Sequence, residues 1–235
     1  MIDLTAAVVG FALLIGLMTL GLHVAFVMFA ISMAGAIIYL GTPAVMEYGT
    51  QYWGATNNFV LVAVPLFVLL GELLVRGGFT DRMYRSLSDW LNPLPGGLLH
   101  TNIGASAMFA AVSGSSVATA ATIGTVAIPA FKGRGYDPRL VLGSIAAGAT
   151  LGILIPPSIN MIIYAVLTNT SVPKLYLAGI VPGVLLMLLF MLIVVLLCVV
   201  RPAWGGQRVV ATWPERIRGL VHLAPPAGIF FVVVG

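Results

Sequence analysis

The 34 residues from Leu98 to Phe131 carry no Lys, Arg, Asp or Glu, and basic residues stand on both sides: Arg82 and Arg85 before, Lys132 and Arg134 after. As one helix the stretch would run roughly 50 Å, against about 30 Å of bilayer hydrocarbon, and two full crossings need about 40 residues plus a turn. It fits neither. Its midpoint, Ser113-Gly114-Ser115-Ser116, is small and polar, and positive charge on both flanks puts both ends on the cytoplasmic side. The pattern predicts a re-entrant hairpin, a helix that rises to mid-membrane, turns and returns. Irregular backbone at that depth persists only where protein or a wet cavity covers it, because an unpaired N–H or C=O facing lipid costs several kcal/mol. The tip is therefore a candidate binding site.

The rest of the chain agrees with a membrane setting. Only 8% of residues are charged and 60% are hydrophobic, where a soluble domain carries about 25% charge. The net charge of +4 does not point to nucleic acid, since the basic residues are scattered between apolar runs and form no aromatic-interleaved patch. They read as topology signals. Ten of the eleven Lys/Arg residues, all but Lys174, fall in loops on one side, which sets the N-terminus outside and makes the apolar run from Leu220 to Gly235 enter from the cytoplasm. The lone Cys198 excludes an internal disulfide and a cysteine metal cluster. No basic region or cleavage site marks the N-terminus as a signal peptide, so the first apolar segment is expected to remain.

Along the chain, spans are expected at Leu4–Leu20 and Leu22–Leu40, as antiparallel neighbours about Gly21, then a loop containing Glu47, then a span at Asn58–Val75 ending in an interfacial Glu72–Arg76 pair. Thr80 is expected to cap a short interfacial helix with Met83, Leu87, Trp90 and Leu91 on one face, stopped by Pro93-Leu94-Pro95. A further segment, Leu140–Leu167, is interrupted at Ile155-Pro156-Pro157-Ser158. Neither proline has an N–H, so the carbonyls of Gly152 and Ile153 lose their helical donors. Ser144, Gly148 and Gly152 recur every four residues and predict a close-approach face, matched on the hairpin by Gly114, Ala118 and Thr122. A final long span, Pro173–Val200, contains Pro182.

A hairpin and a broken helix together supply what an ion and solute site needs. Half-helix N-termini favour an anion, and freed carbonyls and hydroxyls favour a cation. The helix returning from Ser116 carries Thr119 and Thr122 in its first turns, which suits a carboxylate. The oxygens around Ser113, Ser115, Gly152, Ile155 and Pro157 are hard donors with no carboxylate among them, which suits sodium better than Ca²⁺ or Mg²⁺. The plainer alternative is that the serines glue two helices and the prolines make a kink.

The run Met108-Phe109-Ala110-Ala111-Val112-Ser113-Gly114-Ser115-Ser116-Val117-Ala118-Thr119-Ala120-Ala121-Thr122-Ile123-Gly124, followed by Gly152-Ile153-Leu154-Ile155-Pro156-Pro157-Ser158, resembles the large membrane subunit (DctM-like) of tripartite ATP-independent periplasmic (TRAP) transporters. The resemblance extends over essentially the whole chain. It implies an all-α integral membrane protein of the bacterial or archaeal inner membrane, one repeat of an inverted-repeat, elevator-type transporter. Residues 1–97 would be largely scaffold, 98–172 the hairpin and broken helix of the transport domain, and 173–235 a spanning helix, a cytoplasmic loop and the start of the next helix. It implies sodium-driven import of an organic carboxylate delivered by a periplasmic substrate-binding protein, with a small four-helix membrane subunit completing the scaffold, and no cofactor. The sodium ligands would map to Ser113, Ser115, Gly152, Ile155 and Pro157, mostly through backbone oxygens. Ser116, Thr119 and Asn160 would lie near the substrate. The family's large subunit has two such repeats and this chain carries the first, so a truncated or split gene is expected.

Other classes compete. A sodium-coupled anion carrier without a binding protein would use the same hairpin physics, and an assembly fragment would not transport. An intramembrane serine protease would use Ser106 of Gly104-Ala105-Ser106-Ala107, but a serine nucleophile needs an adjacent base. Of His23, His100 and His222, the nearest along the chain, His100, is about 9 Å from Ser106 on one helix.

Overall fold

The computed structural model describes residues 4–207 and 211–234, so Arg208 and the N-terminal Met1–Asp3 lie outside the described residues. Among the described residues all regular elements are helical, apart from one antiparallel bridge between Tyr136 and Gly205. Three helical stretches are long and apolar enough to cross a membrane: Phe59–Arg76, Pro138–Thr168 and Val172–Val200. The chain divides into two compact units, Met1–Asn58 and Phe59–Gly235.

The first unit holds α1 (Leu4–Thr19), α2 (Val24–Leu40) and α3 (Pro43–Thr56). Gly21, at φ 81°, turns the chain between α1 and α2, which pack on each other. The Nδ1 of His23 caps α2 by accepting the Ala25 N–H at 3.4 Å. The loop expected around Glu47 is instead helical. Gly41 closes α2 at φ 77°, and Pro43 opens α3 in the first turn, where a missing N–H costs nothing. Phe29 and Tyr48 then meet edge to face at 5.5 Å.

The second unit opens with a 3₁₀ turn, Phe59–Val62, running into α4 (Ala63–Arg76), where Pro65 is tolerated in the first turn. Arg76 Nε lies 2.6 Å from Glu72 Oε1, the expected i,i+4 pair, with both side chains exposed. Next comes α5 (Phe79–Leu91). Thr80 does not cap it. Gly78, at φ 66°, turns the chain two residues earlier, so Thr80 falls inside the first turn, buried and with no partner for its hydroxyl. Met83 and Tyr84 are buried and seat α5 on the helix that follows Gly97.

The uncharged stretch forms two sixteen-residue helices, α6 (Leu98–Ser113) and α7 (Ser116–Phe131), packed on each other and joined by Gly114 and Ser115. The next segment breaks as the prolines require, into α8 (Pro138–Leu154) and α9 (Ile159–Thr168). Asp137 caps α8 through the Arg139 N–H at 2.7 Å. The long α10 (Val172–Val200) continues through Pro182. After a 3₁₀ turn at Pro202–Trp204 come α11 (Trp213–Leu220) and α12 (Ala224–Val234). Leu220 therefore ends a short polar helix and the apolar one starts at Ala224. Thr212 and Glu215, a capping box that opens α11, are the missed signal.

The interior is built around α6, fifteen of whose sixteen residues are buried. Leu98, Leu99, Ile103 and Phe109 meet Ile123 and Phe131 of α7, Val141 and Leu151 of α8, and Val194 of α10 in one apolar cluster. A buried polar chain crosses it. Tyr84 Oη donates to Asn102 Oδ1 at 2.7 Å, Asn102 Nδ2 donates to Ser144 Oγ at 2.8 Å, and Ser144 donates to Val141 O at 2.9 Å. At the base of the hairpin, Tyr136 Oη accepts the Leu98 N–H at 3.2 Å and its ring meets Phe131 edge to face at 4.8 Å. Asp137 N–H donates to Trp204 O at 3.4 Å and Gln207 N–H to Arg134 O at 2.9 Å. These bonds clasp both legs of the hairpin to the segment that follows α10.

Candidate functional site

The hairpin tip is made by one residue change of conformation. Gly114 takes φ 62°, a left-handed geometry that favours glycine, and its N–H closes α6 on Ala110 O at 2.9 Å. Ser115 is extended and caps α7, its Oγ accepting the Ala118 N–H at 3.3 Å. Thr119 Oγ1 donates to Ser115 O at 2.7 Å and lies 3.3 Å from Ser113 Oγ. The tip hydroxyls are thus bonded into one patch, with Ser113 only 2% exposed.

The break answers it from the other side. The Ile155 N–H to Leu151 O bond, 2.8 Å, is the last of α8. Pro156 and Pro157 then leave the Gly152 and Ile153 carbonyls without their helical donors. The Ile159 N–H, opening α9, donates across to Gly114 O at 3.1 Å. A Cβ on Gly114 would fall 2.5 Å from Pro157 O, and one on Gly152 would fall 2.9 Å from Ser116 N and 3.0 Å from the Ser115 carbonyl carbon. Tip and break therefore touch backbone to backbone, and side-chain carbon has no room at either glycine. The surrounding helices close in the same way. Gly71 of α4 faces Ser113 Cβ, where an added Cβ would sit at 3.2 Å, while Gly183 of α10 faces Ile155 Cγ1 at 3.0 Å and Gly179 faces Leu154 O at 2.6 Å.

Four helix ends meet at this junction: the C-termini of α6 and α8 and the N-termini of α7 and α9. Partial negative and partial positive ends thus lie side by side. Among the described residues no group of three His, Cys, Asp or Glu could hold a metal. The oxygens here are neutral carbonyls and hydroxyls, a donor set that fits a monovalent cation.

The structure brings the Ser115–Ser116 peptide of the tip against Gly152 and Gly114 against Pro157 of the break, while Ser113 faces Gly71 of α4 and the Ile155 side chain turns toward α10. Of the residues expected near a substrate, Ser116 is half-buried beside Gly152, Asn160 is exposed on the first turn of α9, and Thr119 is fully buried with its hydroxyl engaged in the tip. The expected mating of Gly114, Ala118 and Thr122 with the small-residue face of α8 does not form: Gly114 meets Pro157 and Ile159 beyond the end of α8, and Gly152 meets Ser115 and Ser116 instead. Ala118 is exposed and Thr122 half-buried, and Gly148 instead packs on α6, where its Cβ would lie 2.7 Å from Ser106 Oγ and 3.3 Å from Asn102 O. A straight four-residue series fails because the chain reverses at Gly114, and α6 packs on α8 more extensively than α7 does.

Sequence reasoning passed over Ser158, 0% exposed and directly after the prolines, and Asn102, a polar side chain in the middle of the uncharged run. The glycines of α10, spaced by four, were a readable signal for close approach. Among the described residues Ser106 Oγ is buried with no hydrogen-bond partner, and His100 Nε2 is held 2.7 Å from Pro95 O instead of reaching that serine.

A multi-pass helical membrane protein with a helical hairpin whose tip touches a proline-broken helix is the class that these elements define. Within that class the chain belongs to the family described as tripartite ATP-independent periplasmic transporter, DctM component, whose model matches residues 11–235. It is 37% identical over 182 residues to the C4-dicarboxylate TRAP transporter large permease protein DctM of Pseudomonas aeruginosa, covering 77% of this chain and 43% of that protein. It is 30% identical over 225 residues to the ectoine TRAP transporter large permease protein TeaC of Halomonas elongata, covering 95% and 52%. It is 44% identical over 135 residues to the sialic acid TRAP transporter permease protein SiaT of Haemophilus influenzae, covering 57% and 22%. The chain spans about half the length of the large-permease relatives or less. The family is one of transporter components, not of enzymes.

Proposed function

We propose that the chain forms one repeat of the permease of a sodium-driven, binding-protein-dependent importer of organic carboxylates. The hairpin α6–α7 enters the membrane from the cytoplasm, reaches mid-depth and returns. It moves together with the broken helix α8–α9 against a scaffold. Sodium sits between tip and break on oxygens of Ser113, Ser115, Gly152, Ile155 and Pro157. The substrate carboxylate lies toward the N-termini of α7 and α9, near Ser116, Thr119 and Asn160. A second repeat, a small four-helix membrane subunit and a periplasmic binding protein complete the system in a bacterial inner membrane.

The observation that carries this reading is the side-chain-free contact of Gly114 with Pro157 O and of Gly152 with the Ser115–Ser116 peptide. Ordinary helix gluing needs no such convergence of four helix ends and two donorless carbonyls. Family membership supports the transport role, and relatives named for C4-dicarboxylate, ectoine and sialic acid support a small organic acid or zwitterion as cargo. The test is uptake by the complete permease with its partners in proteoliposomes. Ser115→Ala should raise the sodium concentration for half-maximal uptake about tenfold, the worth of one good oxygen contact. An unchanged sodium requirement would remove this site.

A further inference from the structure

We propose that the hydroxyl of Ser158 is an additional oxygen donor to the ion between hairpin tip and helix break, an inference that rests on the sodium site above. Ser158 is 0% exposed and its Oγ meets no hydrogen-bond partner among the described residues. A buried hydroxyl without a partner is costly, and native folds keep few of them without a reason.

The position makes the missing bond more telling. Ser158 is the N-cap of α9, extended at φ −108° and ψ 127°. A serine there ordinarily turns its oxygen onto an N–H of its own first turn. Ser115 does so in α7, as the Asp137 carboxylate does in α8, whereas the fully buried Ser158 makes no such bond. Its hydroxyl is left over from the helix it caps. Ser86, Thr101 and Ser106 also have unpaired buried hydroxyls, but they lie inside α5 and α6, where the carbonyl one turn back is within reach of a rotation, and Thr80, in the first turn of α5, lies among Met83, Phe109 and Val112, away from the junction. Ser158 stands outside any helix, after two prolines.

Its neighbours pin it to the junction, since Pro157 O lies against Gly114 and the Ile159 N–H donates to Gly114 O. An organic substrate reaches a side chain from an open face, and Asn160, two residues on, is exposed where Ser158 is sealed. A bare monovalent cation is small enough for a closed gap, and a neutral hydroxyl is a hard oxygen that suits it.

The experiment uses the complete permease, purified with its membrane partner, and reads thermal unfolding while sodium chloride replaces choline chloride at fixed ionic strength. Ligand binding to the folded state raises the midpoint according to occupancy. Ser158→Ala should match the wild type in choline and need about tenfold more sodium for the same rise. Ser158→Thr, which keeps the hydroxyl, should stay near the wild-type titration. A wild-type sodium titration in Ser158→Ala overturns the proposal, as does a loss of midpoint in choline as large as that in sodium, which is the mark of a structural hydrogen bond. If Ser115→Ala shifts the titration and Ser158→Ala does not, only the role of Ser158 falls. If sodium fails to stabilise the wild type, the site itself falls.

Discussion

Asn102 is the residue on which the buried interior turns, because it accepts from Tyr84 on α5 and donates to Ser144 on α8 from a helix that is itself almost wholly buried. Replacing it by Ala leaves a phenol hydrogen and a serine oxygen unpaired in an apolar surround. Each orphaned group costs about 1–3 kcal/mol, so Asn102→Ala is expected to destabilise by about 3 kcal/mol. The check is the unfolding midpoint of the purified permease, which should fall by several degrees, while Asn102→Asp at neutral pH should do worse by burying a charge. The same reasoning explains why Ser144 was legible in the sequence only as a small residue. Its four-residue spacing to Gly148 and Gly152 announces close packing, but nothing in that spacing says that the partner is an asparagine on the other leg.

Helices α5 and α11 meet outside the spanning segments, and there the chemistry is electrostatic. Trp90 Nε1 donates to Arg216 O at 3.3 Å and Trp90 meets Trp213 edge to face at 6.3 Å. Burial at this contact, followed by the charge of Glu215, pushes the Asp89 carboxyl above its ordinary range against the pull of Arg216. The Thr212 hydroxyl and N–H hold Glu215 below its own. These act in opposite directions. A raised carboxyl makes the folded state most favoured when protonated, so the Asp89 penalty sets in as pH rises through its folded value. The Glu215 contribution is present above the ordinary range and is lost as pH falls through its depressed value. Asp89→Asn should therefore strengthen the docking of α11 at neutral pH, by less than about 1 kcal/mol since the group is partly solvated. The gain should vanish below about pH 4. Amide exchange in α11 against pH measures it, and a gain independent of pH would refute the assignment. Element by element, the hairpin and the break were legible because length and proline chemistry left few alternatives. Helices α3 and α11 were not, since both carry a proline in their first two positions and follow a cap that is easily read as loop. The start of α5 was misread because Thr80 is a good cap by type, while the left-handed turn at Gly78 decides the geometry.

For the molecule as a whole, the distribution of charge makes one prediction that geometry alone does not. Lys132, Arg134 and Arg139 lie at the base of the hairpin, and Arg201 lies at the end of α10, on the side expected to face the cytoplasm. Lys132 is exposed and the native Cys198 is buried. In cells, Lys132→Cys should react with an impermeant thiol reagent only after the cytoplasmic face is opened. Labelling of intact cells from outside would invert the topology.

The clasp around Tyr136 fixes the foot of the hairpin, and the Asn102–Ser144 bond ties its first leg to α8 one turn further in. Each sixteen-residue leg is about 24 Å long at 1.5 Å per residue, so the pair is a beam anchored at its foot. The far end meets the break through the Ile159 N–H to Gly114 O bond, with Ile159 Cγ1 and the Pro157 carbonyl packed against Gly114. With ties at foot, leg and tip, this beam and the broken helix brace each other along their length, so a load placed on one is carried by the other.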